Sequence, residues 1–247
     1  MISTTRITSL AAALSLGLAS ALSAQSLATF GSAEVAGYGE GSALLGTSLS
    51  TGHLGWGPIA GLVGQTYRYT NGPASHAQAW AISPSLGLQH SMSTGSVSAS
   101  LGYTFVNTEF TGVVSGAELG GTNGAFVALQ GNYWGTGENS AQVIGNYGFK
   151  SEYYWTRFRA AHRLAPTAHP IYVGGEVVLQ GTQKGYLLAN NTRTASQMRY
   201  EVGPTIEYRA TPEFRVGASA GYRGGNNNTA ASGYARIEFL LLSKLGM

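Results

Sequence analysis

The chain of 247 residues contains no cysteine and no aspartate, and only 10% of its residues are charged. Without cysteine there is neither a disulfide framework nor thiolate chemistry. Ordinary soluble domains carry about 25% charged residues, because a soluble surface needs that charge to stay dispersed. The basic residues are interleaved with apolar ones, unlike a nucleic-acid-binding tail. The composition therefore favours an outer surface that meets lipid and predicts no nucleic-acid partner.

Long hydrophobic runs are also scarce, and the one candidate lies near the N-terminus. Arg6 precedes an apolar run at residues 10–22, which small residues follow up to Ala24. This pattern is typical of a secretory signal peptide, and the run is too short for a spanning helix. We predict a cleavable signal peptide at residues 1–24, with Ala21 as the second cleavage site and an attached N-terminal helix as the alternative. The mature domain then covers residues 25–247.

What the chain does have is a polar–apolar alternation with a period of two, clearest from Arg199 to Arg209. The odd positions carry Arg, Glu, Gly, Thr, Glu and Arg, whereas the even positions carry Tyr, Val, Pro, Ile and Tyr. Strand side chains alternate between two faces, so this strand has one charged face and one apolar face. A membrane barrel turns the polar face toward its interior.

Similar segments follow one another through the chain between turn residues. The candidate strands are Ser32–Gly39, Ala43–Ser50, Leu54–Tyr69, Gln78–Met92, Ser96–Phe110, Gly124–Gly135, Ser140–Phe149, Glu152–Arg163, Ile171–Gln183, Ala195–Arg209, Phe214–Arg223 and Gly233–Leu242. Their connections alternate between short turns, such as 93–95, and longer loops, such as 111–123. An even strand number and this asymmetry are typical of bacterial outer-membrane barrels. We predict an all-β fold, a closed antiparallel up-and-down transmembrane β-barrel of about 12 strands, in the bacterial outer membrane.

The apolar strand faces carry aromatic residues, mostly near strand ends, where aromatic girdles of membrane barrels lie. The alternative is that they form the core of a soluble sheet. The predicted lipid-facing aromatics are Trp80, Tyr154, Phe158, Tyr200, Tyr208, Phe214, Tyr222 and Phe239.

The polar faces of neighbouring strands bring charges of both signs toward one wall of the lumen. Cross-strand ion pairs there would fix the register and fill the barrel. The alternative is a basic strip that selects anions or binds an acidic or hydroxyl-rich chain. The predicted lumen-lining residues are Arg157, Arg159, Glu176, Arg199, Glu201, Glu207, Arg215, Arg236 and Glu238.

Catalytic chemistry has little support in the sequence. Nucleophilic catalysis needs a hydroxyl group, a base and usually an acidic residue that orients the base. Of the five histidines, His53 and His169 lie in predicted short turns, and His76 and His90 have no acidic neighbour in the sequence; the fifth is His162. No metal-binding motif is present. We therefore expect no catalytic residue, no metal and no cofactor.

Scattered Gly, Tyr and Glu positions resemble the BcsS family of cellulose-biosynthesis accessory proteins. They include Glu34 and lie otherwise in the stretches Gly61–Tyr69, Glu152–Arg163, Tyr172–Glu176 and Gly217–Tyr222. The resemblance implies a non-catalytic outer-membrane protein that acts beside an exopolysaccharide export system. Its expected partners are outer-membrane lipid, the barrel-insertion machinery, and a polysaccharide or an export complex. A narrow passive pore with a slight anion preference and a membrane-embedded lipid-modifying enzyme are the alternative functions.

Overall fold

Twelve β-strands make up most of the computed structural model, which describes residues 25–51, 54–70, 76–111, 123–135, 137–184, 196–226 and 231–245. The predicted signal peptide at 1–24 lies outside these residues. The strands are β1 (Gln25–Ala36), β2 (Gly41–Ser50), β3 (Gly55–Thr70), β4 (His76–Met92), β5 (Gly95–Thr111), β6 (Gly124–Tyr133), β7 (Asn139–Gly148), β8 (Tyr153–Arg163), β9 (Ile171–Thr182), β10 (Gln197–Arg209), β11 (Phe214–Gly225) and β12 (Ser232–Leu245). Within the described ranges, no helix has both the length and the apolar character to cross a membrane.

The strands form one closed barrel in which each strand is hydrogen-bonded to its neighbours in sequence. All pairings are antiparallel, and β1 closes the barrel by pairing with β12, from Gln25 opposite Leu245 to Ala36 opposite Tyr234. Closure gives every strand two partners and leaves no free sheet edge. The predicted closed antiparallel barrel of twelve strands is confirmed.

The connections at the two ends of the barrel differ in length. At one end, which we call the short-turn end, they are residues 51–54, 93–94, 134–138, 164–170 and 210–213. At the other, the long-loop end, they are residues 37–40, 71–75, 112–123, 149–152, 183–196 and 226–231. The two longest connections both lie at the long-loop end, as the sequence indicated.

The first strand differs from its prediction. The sequence predicted Ser32–Gly39, but β1 begins at Gln25 and ends at Ala36, and Gly37–Gly39 form a single 3₁₀ turn. Tyr38 and Gly39 have positive φ angles of 64° and 72°, which reverse the chain sharply into β2. Residues 25–31 lack a contrast between polar and apolar faces, so their strand character comes from pairing with β2 and β12.

Burial alternates along the strands in the sense opposite to that of a soluble protein. Glu201 is fully buried, whereas its neighbour Val202 is 46% exposed. On β12, Arg236 is buried and Ile237 is 64% exposed. The interior is therefore polar and the outer surface apolar, an arrangement that lipid stabilises and water does not.

Candidate functional site: charged side chains in the barrel interior

Among the described residues, the inward-facing charged side chains of the strands lie on six consecutive strands, from β8 through β12 to β1, and Glu40 in the β1–β2 turn adds to them. The barrel register places opposite charges directly across from each other on neighbouring strands. Arg159 on β8 lies opposite Glu176 on β9, and Glu201 on β10 lies opposite Arg223 on β11. Such cross-strand pairs stabilise one register over its alternatives.

Arg236 on β12 has carboxylate partners on three other strands. Its Nη1 lies 2.7 Å from Glu176 Oε1, and its Nε donates to Glu34 Oε2 at 2.9 Å. Its Nη2 pairs with both Glu34 and Glu201. Tyr234, two residues earlier, donates from its hydroxyl group to Glu176 Oε1 at 3.1 Å. One guanidinium thereby connects β12 to β1, β9 and β10.

The ion pairs continue from β12 to β8. Arg157 Nη1 lies 2.8 Å from Glu238 Oε2, and Arg159 Nη2 lies 2.8 Å from Glu176 Oε2. Arg159 also pairs with Glu238. Glu238 is therefore shared by two arginines of one strand, which fixes how β8 faces β12 across the interior.

Toward the long-loop end, Arg223 and Arg199 extend the ion pairs. Arg223 pairs with Glu34, and its Nε donates to Glu201 Oε1 at 2.9 Å. Glu40, in the turn between β1 and β2, lies 3.1 Å from Arg223 Nη1 and 2.8 Å from Arg199 Nη1. The turn between β1 and β2 is thus tied to β10 and β11, which lie beyond the β1–β12 pairing that closes the barrel.

These ion-paired residues form one interior network with five arginines and five glutamates, whose formal charges cancel. Its carboxylates at Glu176 and Glu201 are 2% and 0% exposed, respectively. Buried charges carry a large desolvation cost unless each is paired, and here every one has a partner of opposite sign. The interior network consists of Glu34, Glu40, Arg157, Arg159, Glu176, Arg199, Glu201, Arg223, Arg236 and Glu238.

Uncharged side chains carry the hydrogen bonds further around the interior. Arg157 Nη2 donates to Gln142 Oε1 at 2.6 Å, and Gln142 Nε2 donates to Asn132 Oδ1 at 2.9 Å. Asn132 Nδ2 then donates to Ser96 Oγ at 3.3 Å. Paired polar side chains therefore line the interior from β1 through β12 and β8 to β5.

A second charged group lies at the short-turn end of the interior. Arg209 Nε lies 2.7 Å from Glu207 Oε1, and Arg215 Nη1 lies 3.5 Å from Glu207 Oε2. Arg163 on β8 is on the same inner face and lies directly opposite Tyr172 on β9. We call Arg163, Arg209 and Arg215, together with Glu207, the basic cluster. Within the described part of the chain, no ion pair joins it to the interior network.

The structure places the nine predicted lumen residues on the inner face, but in two groups. Seven lie in the interior network, whereas Glu207 and Arg215 lie in the basic cluster. The sequence reasoning did not assign Glu34, Glu40 and Arg223 to the wall. The seven are Arg157, Arg159, Glu176, Arg199, Glu201, Arg236 and Glu238.

One sequence signal points to the missing acidic partners. Residues 151–247 carry an excess of basic residues, whereas residues 1–150 carry an acidic excess. Barrel closure brings β1 against β12, so Glu34 from the acidic part lies opposite Arg236 from the basic part. The charge imbalance between the two parts therefore indicates ion pairs across the closing seam.

The eight predicted lipid-facing aromatics occupy outward positions of their strands. Phe158 is 51% exposed and Tyr222 is 47% exposed. The Tyr200 and Tyr222 rings lie side by side, with centroids 6.0 Å apart. The others on this surface are Trp80, Tyr154, Tyr208, Phe214 and Phe239. Contact of these rings with lipid stays a prediction.

Three histidines have described side chains, and none is in contact with the interior network. His90 packs against Trp56 on the outer surface, with ring centroids 4.9 Å apart. His162 Nδ1 lies 2.9 Å from Asn139 Oδ1, and His169 Nδ1 lies 2.8 Å from the Ala210 carbonyl. The side chains of His53 and His76 lie outside what the structure describes. Among the described residues, no group of three potential metal ligands occurs.

The closed barrel, its polar interior and its apolar outer surface define a β-barrel of the outer-membrane type. It is similar to the beta domain of the Bordetella autotransporter Brka, with 11% identity, a TM-score of 0.50, and coverage of 87% of this chain and 98% of that one. It is also similar to a mutant of the TodX monoaromatic hydrocarbon channel, with 8% identity, a TM-score of 0.50, and coverage of 93% and 92%. At these identities the likeness concerns the fold alone.

The sequence profile described as "Cellulose biosynthesis protein BcsS" matches residues 19–241. The chain therefore belongs to the BcsS family, which confirms the resemblance seen in the sequence. No curated protein matches the chain.

Proposed function

We propose that this barrel is a non-enzymatic accessory protein of exopolysaccharide, and specifically cellulose, biosynthesis or export, located in the bacterial outer membrane. The observation that carries the proposal is the family match over residues 19–241, combined with a closed barrel. The apolar outer surface supports the location, because such a surface is stable in lipid. A polysaccharide or an export complex is the expected partner.

The chemistry of the interior supports a non-catalytic role. The carboxylates of the interior network are each held by arginine, so they are poorly suited to accept a proton from a reacting group. Arg159 and Arg236, for example, both bind Glu176. The network stabilises the barrel and fixes its register, and we assign it that structural role.

The role in cellulose production can be tested in the host bacterium. Deletion of the gene should lower extracellular cellulose, measured as glucose released by cellulase, and a plasmid copy of the gene should restore it. The lipid composition of the outer membrane should stay unchanged, because no lipid-modifying activity is expected. Unchanged cellulose in the deletion strain, with the synthase expressed normally, would contradict the proposal. The lipid analysis also separates it from a lipid-modifying enzyme, for which His90→Ala should alter the lipids.

A passive pore makes a different prediction in planar bilayers. Steady anion-biased channels that Arg157→Glu abolishes or alters would favour the pore. Because the interior network is formally neutral, it gives no preference for anions by itself. We expect Arg157→Glu to disturb folding through the loss of its pair with Glu238 rather than to switch ion selectivity. The folded fraction of the variant, measured by heat-dependent gel mobility, distinguishes these two outcomes.

A further inference from the structure

The basic cluster differs from the interior network in its charge balance. The network pairs every arginine with glutamate, whereas the cluster has three arginines and a single interior carboxylate. Glu207 is shared between Arg209 and Arg215, and Arg163 has no ion pair among the described residues. Glu138 and Glu213, in the turns at this end, make no ion pair with the cluster within the described ranges. The three arginines and Glu207 therefore carry a formal net charge of +2 among themselves.

The strand register places two of these like charges opposite each other, which lowers the stability of the fold when no anion is bound. Arg209 on β10 lies directly opposite Arg215 on β11. Like charges in directly opposed positions destabilise a sheet, and local rules are commonly broken at functional sites. A bound anion would offset this repulsion.

The cluster is also held in place. The Arg209 guanidinium lies 3.9 Å from the centroid of the Tyr172 ring, a distance at which a cation is attracted to the ring face. Tyr172 is itself buried, and its hydroxyl group donates to the Gly137 carbonyl at 2.6 Å. Arg163 approaches the same glycine. Tyr172 therefore holds the Arg209 guanidinium in place, and Arg163 lies at the residue position opposite Tyr172.

Solvent reaches Arg209 and Arg215 more readily than four of the five network arginines; the fifth, Arg199, lies toward the long-loop end and is 28% exposed. The side chains of Arg209 and Arg215 are 21% and 33% exposed, against 6% for Arg236. An anion entering from the short-turn end would meet the basic cluster before it reached the buried ion pairs.

We propose that the basic cluster is a binding site for an oxyanion, a phosphate or carboxylate group that enters the barrel from the short-turn end. Guanidinium groups bind both groups through paired hydrogen bonds. The inference does not depend on the role in cellulose production, because it rests on the charge balance, register and exposure of the cluster.

The proposal can be tested by titrating inorganic phosphate into the folded protein in detergent at low salt and measuring the heat of binding by calorimetry. We expect saturable binding that weakens as salt is added. The double variant Arg209→Gln/Arg215→Gln should bind phosphate about tenfold more weakly or worse. Acetate in place of phosphate measures how well the site accepts a carboxylate.

The matched control is Arg68→Gln, which removes an exposed arginine from the outward face of β3 and should leave phosphate binding unchanged. If the double variant does not fold, Arg163→Gln and the conservative Arg209→Lys should each weaken binding in protein with normal heat-dependent gel mobility. The absence of saturable binding at millimolar phosphate would overturn the proposal. Equal losses in Arg68→Gln and the cluster variants would overturn it as well.

Discussion

Arg236 is the side chain on which the interior network converges, because it contacts carboxylates from three other strands. We predict that Arg236→Gln lowers the free energy of unfolding by about 3–5 kcal/mol, since three buried carboxylates each lose one of their two arginine partners and the interior network keeps an excess negative charge. Arg215→Gln serves as the matched comparison. Its guanidinium is partly exposed and its nearest carboxylate oxygen is 3.5 Å away, so we expect a change within about 0.5 kcal/mol.

Urea unfolding in lipid vesicles, followed by the fluorescence of the four tryptophans, measures both variants. Equal stability of Arg236→Gln and the wild-type protein would show that the ion pairs add nothing to the fold. A large loss in Arg215→Gln would instead show that the basic cluster has a structural role of its own.

At the scale of single residues, the sequence predicts the face of a side chain better than its height in the barrel. Period-two alternation places Arg199 and Glu207 on the inner face, as the structure does. It does not show that Arg199 lies beside Glu40, 159 positions away in the chain. That contact depends on closure of the sheet and on the offset between strands, which are set by all the pairings together.

At the scale of strands, Gly203 shows how closely β10 and β11 approach each other. A Cβ at this position would overlap the carbonyl oxygen of Ala220 and lie 2.9 Å from the Gly221 Cα. Backbone atoms cannot yield to it, so we predict that Gly203→Ala lowers the free energy of unfolding by about 1–3 kcal/mol. The same urea unfolding experiment measures the loss.

Gly175 on the adjacent β9 is the matched control. A Cβ there would meet only the Gly203 carbonyl, at an ordinary contact distance of 3.6 Å. Gly175→Ala should therefore be neutral, or stabilising by about 0.4–1 kcal/mol through the unfolded chain. If the two variants were equally stable, the close approach at Gly203 would not be a constraint on this pair of strands.

The starts of β8 and β1 show which strand boundaries a polar–apolar alternation can predict. β8 was predicted from Glu152 and begins at Tyr153, because its inward arginines alternate with outward apolar residues. β1 was predicted seven residues late, since residues 25–31 carry small and apolar side chains on both faces. For such a segment the partner strands, rather than the local pattern, determine the conformation.

At the scale of the whole molecule, chain-wide patterns were the most reliable guide. Low charge, period-two alternation and the alternation of short turns with longer loops are properties of the whole chain, so they survive errors in single boundaries. They predicted the closed barrel and the difference between its two ends. The grouping of the interior charges was less accessible, because the neutral interior network and the basic cluster are separated only in three dimensions.

The difference between the two ends leads to a prediction about orientation. In outer-membrane barrels the short turns face the periplasm and the longer loops face outward. The chain has no cysteine, so a single introduced cysteine reports one position. Ser93→Cys lies in a short turn, and Lys184→Cys replaces a side chain at the long-loop end that is 69% exposed.

A membrane-impermeant maleimide should label Lys184→Cys in intact cells and should label Ser93→Cys only after the outer membrane is disrupted. The unmodified protein should not react, which controls for background. Labelling of Ser93→Cys alone in intact cells would reverse the orientation and place the basic cluster at the cell surface. The cluster would then meet anions from the medium rather than from the periplasm. The experiment therefore decides from which compartment an oxyanion reaches Arg209 and Arg215.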